Sequence, residues 1–300
     1  MPDIELADWQ YDIGGVLIGS GTNVQVLETT GLGRPPVRDS DTDQPSMDGA
    51  FAGPDYWAAR QIQFDAAIRI PNNPAACHDM VAQLQAATDG AAVRLVGGQG
   101  LTLRILRPGR PVKSMTVRAR KIDPEYKQVI HGYVPLDLEF LAHDPAFYAD
   151  QDSVTELPLG WLTGGGFAAP VTAPIYVQDG TVAADRPGWV TNQGDANAWP
   201  IIRITGPCAN VTITHVASGR SLALPTLNLD AGRWTEIDTR PGYRTVTWDN
   251  GGNASTYLSP SSRIDLFSIP PGTSEMRWTA FDSTNSARLR LTWRDAYIAL

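Results

Sequence analysis

The chain holds four histidines, His78, His131, His143 and His215, the residue type from which nucleophilic catalysis most often draws its base. None stands in a recognisable catalytic signature, and the chain has no Gly-x-Ser-x-Gly elbow. Gly19-Ser20-Gly21 and Gly31-Leu32-Gly33 lack the third glycine and the following helix that a dinucleotide needs, and no Walker motif exists. Asp39, Asp41 and Asp43 alternate as in a calcium loop. Counted from Asp39, however, the sixth position is Gln44 rather than Gly and the twelfth is Ala50 rather than Glu, so a solvated acidic loop is expected. Asp137 and Glu139 share one face of an alternating run, where a carboxylate pair could act as acid and base beside a cleft. Exposed strand carboxylates are the plainer reading. Cys77 and Cys208 have no Cys/His zinc spacing and read as two buried thiols in a reducing compartment. We therefore expect no catalytic, cofactor-binding or metal-binding residue, and no enzyme.

What remains for chemistry is aromatic. The stretch from Asp43 to Phe64 reads DQPSMDGAFAGPDYWAARQIQF. Asp48-Gly49 makes one turn and Gly53-Pro54-Asp55 another, with Phe51, Tyr56 and Trp57 between and after them. The stretch then enters a strand that sets Ile62, Phe64, Ala66, Ile68 and Ile70 against Gln61, Gln63, Asp65 and Arg69. A catalytic loop, a ligand loop and a subunit contact would each explain such a segment.

The elements around it read as strands. Leu101, Leu103 and Ile105 alternate with polar residues, as do Val117 with Ala119, and Val134, Leu136, Leu138 with Phe140. One helix follows Asn73-Pro74: Cys77, Met80, Val81, Leu84 and Ala87 form its apolar stripe, and Asp89-Gly90 stops it. Gly and Pro are abundant but dispersed between short alternating runs, which signals an all-β protein with this one short helix. Alternation fades after Pro145. A crossing then runs from 151 to 190, with room for a strand near Ile175 to Val177. From Trp199 a second series begins, in which Ile202 and Ile204 should pair with Val211 and Ile213 across the turn at Gly206-Pro207. Strands every ten or so residues indicate a β-sandwich. With 300 residues, two domains are expected: 1–150, and 191–300 beyond the 151–190 linker.

The net charge of −8 and pI near 5.0 argue against specific nucleic-acid binding. No apolar run suits a membrane span, and MPDIELADWQYDIGG does not read as a secretory signal. In the second half, Trp248 shares its face with Val246, and Trp293 with Leu289 and Leu291, so both read as core. Trp189, Trp199 and Trp234 fall near turns and are the remaining candidates for a glycan platform.

Four stretches carry a family resemblance. They are DGAFAGPDYWAARQIQF with Asp48, Gly49, Tyr56 and Arg60; the helix NNPAACHDMVAQLQAA; LEFLAHDPAFYAD with Asp144, Pro145 and Tyr148; and NQGDANAWPIIRITGP, followed by LNLDAGRWTEIDT. In this order the chain resembles the distal tail proteins of long-tailed, non-contractile bacteriophages, the siphovirus-type tail components.

The resemblance implies an N-terminal β-barrel or sandwich domain that closes into a homo-hexameric ring, and a C-terminal galectin-like sandwich outside it. The ring would sit at the tail tip of the virion, after synthesis in the host bacterial cytoplasm. It would join the tail tube protein to the hub and anchor receptor-binding or other baseplate proteins. Closed rings use heterologous contacts, and buried Tyr, Trp and Arg commonly anchor such contacts. Asp48, Gly49, Phe51, Tyr56, Trp57 and Arg60 are therefore the expected subunit-contact residues. A carbohydrate-binding sandwich protein that forms no ring is the alternative. Fold similarity alone confers no sugar binding, and a rigid docking wall is the expected role of the sandwich.

Overall fold

The computed structural model describes residues 4–159, 188–282, 284 and 286–300. The chain divides into two compact units, one of residues 1–151 with 296–300 and one of residues 152–295. Both are built from β-sheet. The strand expected near Ile175 to Val177 lies outside the described residues.

The first unit opens with β1 (Gln10–Ile13), β2 (Val16–Gly19) and β3 (Val24–Thr30). Four two-residue strands follow: β4 (Val37–Arg38), β5 (Thr42–Asp43), β6 (Ala50–Phe51) and β7 (Tyr56–Trp57). Then come β8 (Arg60–Arg69), helices α1 (Pro74–Thr88) and α2 (Ala91–Leu95), β9 (Leu101–Ile105), β10 (Lys113–Pro124), β11 (Tyr133–Ala142) and β12 (Phe147–Ala149). The main sheet runs β2-β1-β9-β10-β11-β8-β3, all antiparallel.

β10 makes the sheet fold over. Its first half, through Val117, pairs with β9, and its second half, from Arg118, pairs with β11. A bulge between Ala119 and Lys121 lies in the second half. An extra residue on one strand increases local bend and twist, and so lets one long strand serve two layers. The inward faces are the alternating residues expected from sequence. Ile62, Phe64, Ala66 and Ile68 are fully buried, as are Leu103, Val134 and Leu138. α1 closes this core with Cys77, Val81 and Leu84. The Asn73 side chain caps it by accepting from the Ala76 N–H at 3.1 Å. α2 was not expected.

The second unit contains β13 (Ser153–Pro158), β14 (Trp189–Asn192), β15 (Ile201–Thr205), β16 (Cys208–His215), β17 (Arg220–Leu229), β18 (Trp234–Asp238), β19 (Thr245–Trp248), β20 (Gly272–Phe281) and β21 (Arg288–Trp293). They form a sandwich of two sheets, β13-β21-β15-β18-β19 and β14-β20-β16-β17. β13 already belongs to this sheet, although it lies in the span read as linker. The expected pairing of β15 with β16 does not occur. β15 pairs with β18 and β21, and β16 with β17 and β20, so the chain changes sheet at Gly206-Pro207. The reason is burial: Ile202, Ile204, Val211 and Ile213 all have no exposed surface. They supply the core from both layers rather than one face of a hairpin. Trp293, expected as core, is 5% exposed, and Trp278 joins it at 7%; Trp248, also expected as core, is only half-buried, with its ring edge-on to Tyr257 at 5.3 Å.

Candidate subunit-contact site

β3 and β8 are antiparallel neighbours, so everything between Thr30 and Arg60 is one elaborated hairpin excursion. Within it β4 pairs with β7 and β5 with β6, giving an arm of two short ribbons in series. Its tip is the turn at Asp48-Gly49, where Gly49 takes a positive φ of 102° and its carbonyl accepts from the Gln44 N–H. At its bend, Gly53 donates its N–H to the Asp41 carboxylate at 2.8 Å. A Cβ on Gly53 would stand 2.2 Å from the Ser40 carbonyl oxygen, so the two sides of the arm approach as only glycine permits.

The arm is solvent-covered. From Pro36 to Trp57 every residue except Gln44 and Gly53 is exposed. That includes Phe51 at 61%, Tyr56 at 53% and Trp57 at 39%. Sequence reasoning missed Met47 and Val37, which are also exposed here; Val37 lies opposite Trp57 in register. Arg38 places its guanidinium 5.6 Å from the Tyr56 ring centroid. Scattered surface apolar residues need no explanation; here Val37, Met47, Phe51, Tyr56 and Trp57 are gathered on one ribbon.

Arg60 is different from the residues it was grouped with. It is 1% exposed, and its guanidinium lies in the interior. It donates to the carbonyls of Gly31, Gly33, Pro145 and Ile298, and its charged plane covers the ring of Phe147. Burial lowers its pKa. Carbonyl oxygens and an aromatic face replace water around a buried cation that has no carboxylate partner among the described residues. Arg60 thus holds the neck of the arm instead of offering itself to a neighbour. The signal was in the sequence: Arg60 has the same parity as Ile62 and Phe64, and so points inward.

The other candidates are dispersed. Trp189 is 45% exposed and lies opposite Glu275, whose carboxylate is gripped by Arg277 at 2.6 and 3.0 Å. Trp199 and Trp234 are half-buried. The Arg203 guanidinium stacks on Trp234 at 4.2 Å while donating to Glu236. These three Trp form no shared platform in the contacts of the sandwich. Asp137 is ion-paired to Lys121 at 2.6 Å on an exposed strand face. Among the described residues no group of His, Cys, Asp and Glu could hold a metal ion. Among them no helix is long and apolar enough to cross a membrane. Cys77 and Cys208 are buried and unbridged. Asp144 and Tyr148 form a local turn: burial raises the Asp144 pKa, while the carboxylate accepts from Tyr148 Oη at 2.6 Å and the Ala146 N–H at 3.2 Å.

Comparison with known proteins agrees with this architecture. Residues 193–297 match the family model described as the siphovirus-type tail component, C-terminal domain. No curated protein matches by sequence. The fold is similar to the Dit protein, gp 19.1, of phage SPP1, described as a paradigm of the hub adsorption apparatus of phages infecting Gram-positive bacteria. The TM-score is 0.60 at 13% identity, over 94% of this chain and 97% of that one. It is also similar to a chain of the phage P2 baseplate in its activated conformation with Ca, at TM-score 0.53 and 11% identity, with the same coverage. The family match and the whole-length fold bear out the resemblance carried by the four sequence stretches: this chain has the fold of a phage distal tail protein, with a siphovirus-type tail component domain at its C-terminal side.

Proposed function

We propose that this chain is a structural virion protein that closes into a six-fold ring at the tip of a long, non-contractile phage tail, or of a phage-derived particle. The ring joins the tail tube to the hub, and the sandwich presents a wall for receptor-binding or other baseplate proteins. The observation that carries the ring is the exposed aromatic arm, on a chain whose C-terminal residues match a tail component family. A heterologous ring contact needs a protruding element on one subunit and a different surface on the next. Phe51, Tyr56 and Trp57 on a ribbon with a pinned neck meet the first need. Asp48 and Gly49 shape the tip, and Arg60 fixes the base. No step of this role requires catalysis.

Light scattering and negative-stain imaging of the full chain test it, alone and with its tail-tube and hub partners. Six-fold rings are expected. A monomer under all these conditions would remove the ring and leave the sandwich protein without assembly as the better reading.

A further inference from the structure

The arm carries a charge that calls for a particular partner. Between Val37 and Trp57 stand five aspartates, Asp39, Asp41, Asp43, Asp48 and Asp55, against one arginine, Arg38. A contact made by this arm buries acidic groups beside its aromatics. Burial of a charge is tolerable only where an opposite charge or donors meet it.

The first unit contains a surface of that kind. A cleft of about 580 Å³ lies between the end of α1, α2 and the bulge of β10, and Arg94, Arg118, Arg120 and Lys121 line it. Its volume is within the usual range of ligand clefts. Some of the charge is internally matched. Arg94 lies 3.4 Å from Asp89, and Lys121 is bridged to Asp137 and Asp123. Arg118 and Arg120 have no carboxylate partner among the described residues. Arg118 donates to the carbonyls of Gln99 and Val96, at 2.7 and 2.5 Å, which holds its side chain in place without neutralising it. Beside Arg94 the surface is apolar: Leu95 is 74% exposed and Val96 50%. A fixed cation, a free cation and two bare aliphatic side chains complement an arm of carboxylates and aromatics.

We infer that the acidic aromatic arm of one subunit docks in the basic cleft between α1, α2 and β10 of the next, with Arg118 and Arg120 meeting the arm's aspartates. This rests on the ring reading above and names the surface that receives the arm. The two surfaces belong to different parts of one chain, as a head-to-tail contact requires.

Charge reversal tests it on the full chain, with circular dichroism as the check on folding. The cleft variant is Arg118→Glu with Arg120→Glu. The arm variant is Asp39→Lys, Asp43→Lys and Asp55→Lys. Each alone is expected to weaken self-association by about tenfold or more, read by light scattering across a dilution series. Mixing the two restores association, since each then meets an opposite charge. A cleft variant that assembles like the parent chain, while Tyr56→Ala with Trp57→Ala does not, overturns the proposed surface and leaves the ring standing. A parent chain that stays monomeric with its tail partners present overturns both. Labelled duplex DNA supplies a control at physiological salt. Parent-chain binding at about micromolar strength or tighter, lost in the cleft variant, would make the cleft a polyanion site and overturn the arm as its occupant.

Discussion

The guanidinium carbon of Arg60 lies 4.4 Å from the centroid of the Phe147 ring, so a cation at the start of β8 is covered by an aromatic side chain of β12. With the carbonyls of Gly31, Gly33, Pro145 and Ile298 around it, this pair ties both ends of the arm to the interior. The Arg60 side chain therefore anchors the projecting ribbon at its neck, where Leu32 also packs on the core.

Removing that side chain leaves buried carbonyls without donors. Arg60→Ala is expected to destabilise the chain by about 3 kcal/mol. Arg60→Lys restores only part, because an ammonium cannot present the planar fork that reaches several carbonyls. Denaturant unfolding measures both, and limited proteolysis should show earlier cutting between Pro36 and Trp57. An Arg60→Ala chain with parent-like stability would show that the four carbonyls find water instead.

Tyr56→Ala and Trp57→Ala are expected to leave monomer stability within about 0.5 kcal/mol, since both side chains are exposed. Association should weaken by about 2 kcal/mol for each residue that anchors the contact, roughly thirtyfold in dissociation constant. Equilibrium unfolding and sedimentation, run on the same samples, separate the two effects. Unchanged assembly would leave the arm without a role in the ring.

Asp282 links the sandwich to pH. Burial alone would raise its pKa, but its carboxylate accepts from the N–H groups of Thr284 and Ala287 and from the Thr284 hydroxyl, which hold it down at about 2. The folded pKa lies below the unfolded value of about 3.9. The stabilisation is thus complete above about pH 4 and is lost as the pH falls towards 2. Acid unfolding of the parent chain and Asp282→Ala should differ at neutral pH and converge near pH 2. Parallel curves over that window would show that Asp282 ionises alike in both states.

Glycan binding is expected to be absent. Trp234 is covered on one face by Arg203, and Trp199 is half-buried, which leaves Trp189 as the exposed ring of the three candidates. A glycan array probed with the full chain should be blank. Specific binding abolished by Trp189→Ala would turn the sandwich into a recognition module and displace the docking-wall reading.

Much of this fold could be read before any coordinates. Alternation at Ile62–Ile68, Leu101–Ile105 and Val134–Phe140 survives into the structure because each strand has one buried face and one wet face. The helix after Asn73 was legible from its cap and stripe. Periodicity does not say which sheet a strand joins, however, since Ile204 and Val211 are equally apolar whether they share a sheet or face each other across a core. Nor does it register two-residue strands such as β4 to β7, which are too short for a period and gain their form from the turns at Gly49 and Gly53. At the site, Phe51, Tyr56 and Trp57 were visible by residue type. The interior position of Arg60 required parity to be weighed above charge.

The first unit takes its final strand, Ala296–Tyr297, from beyond the whole sandwich, and that strand pairs with β12. The same segment supplies Ile298, whose carbonyl Arg60 grips, and Ala299, which accepts from Lys113 at 2.8 Å. During translation, the first unit is therefore left open until the sandwich has already emerged from the ribosome. A nascent chain therefore cannot complete the anchorage of its arm early. Order of synthesis thus bears on integrity: a chain broken anywhere in the sandwich also lacks the segment that completes the first unit.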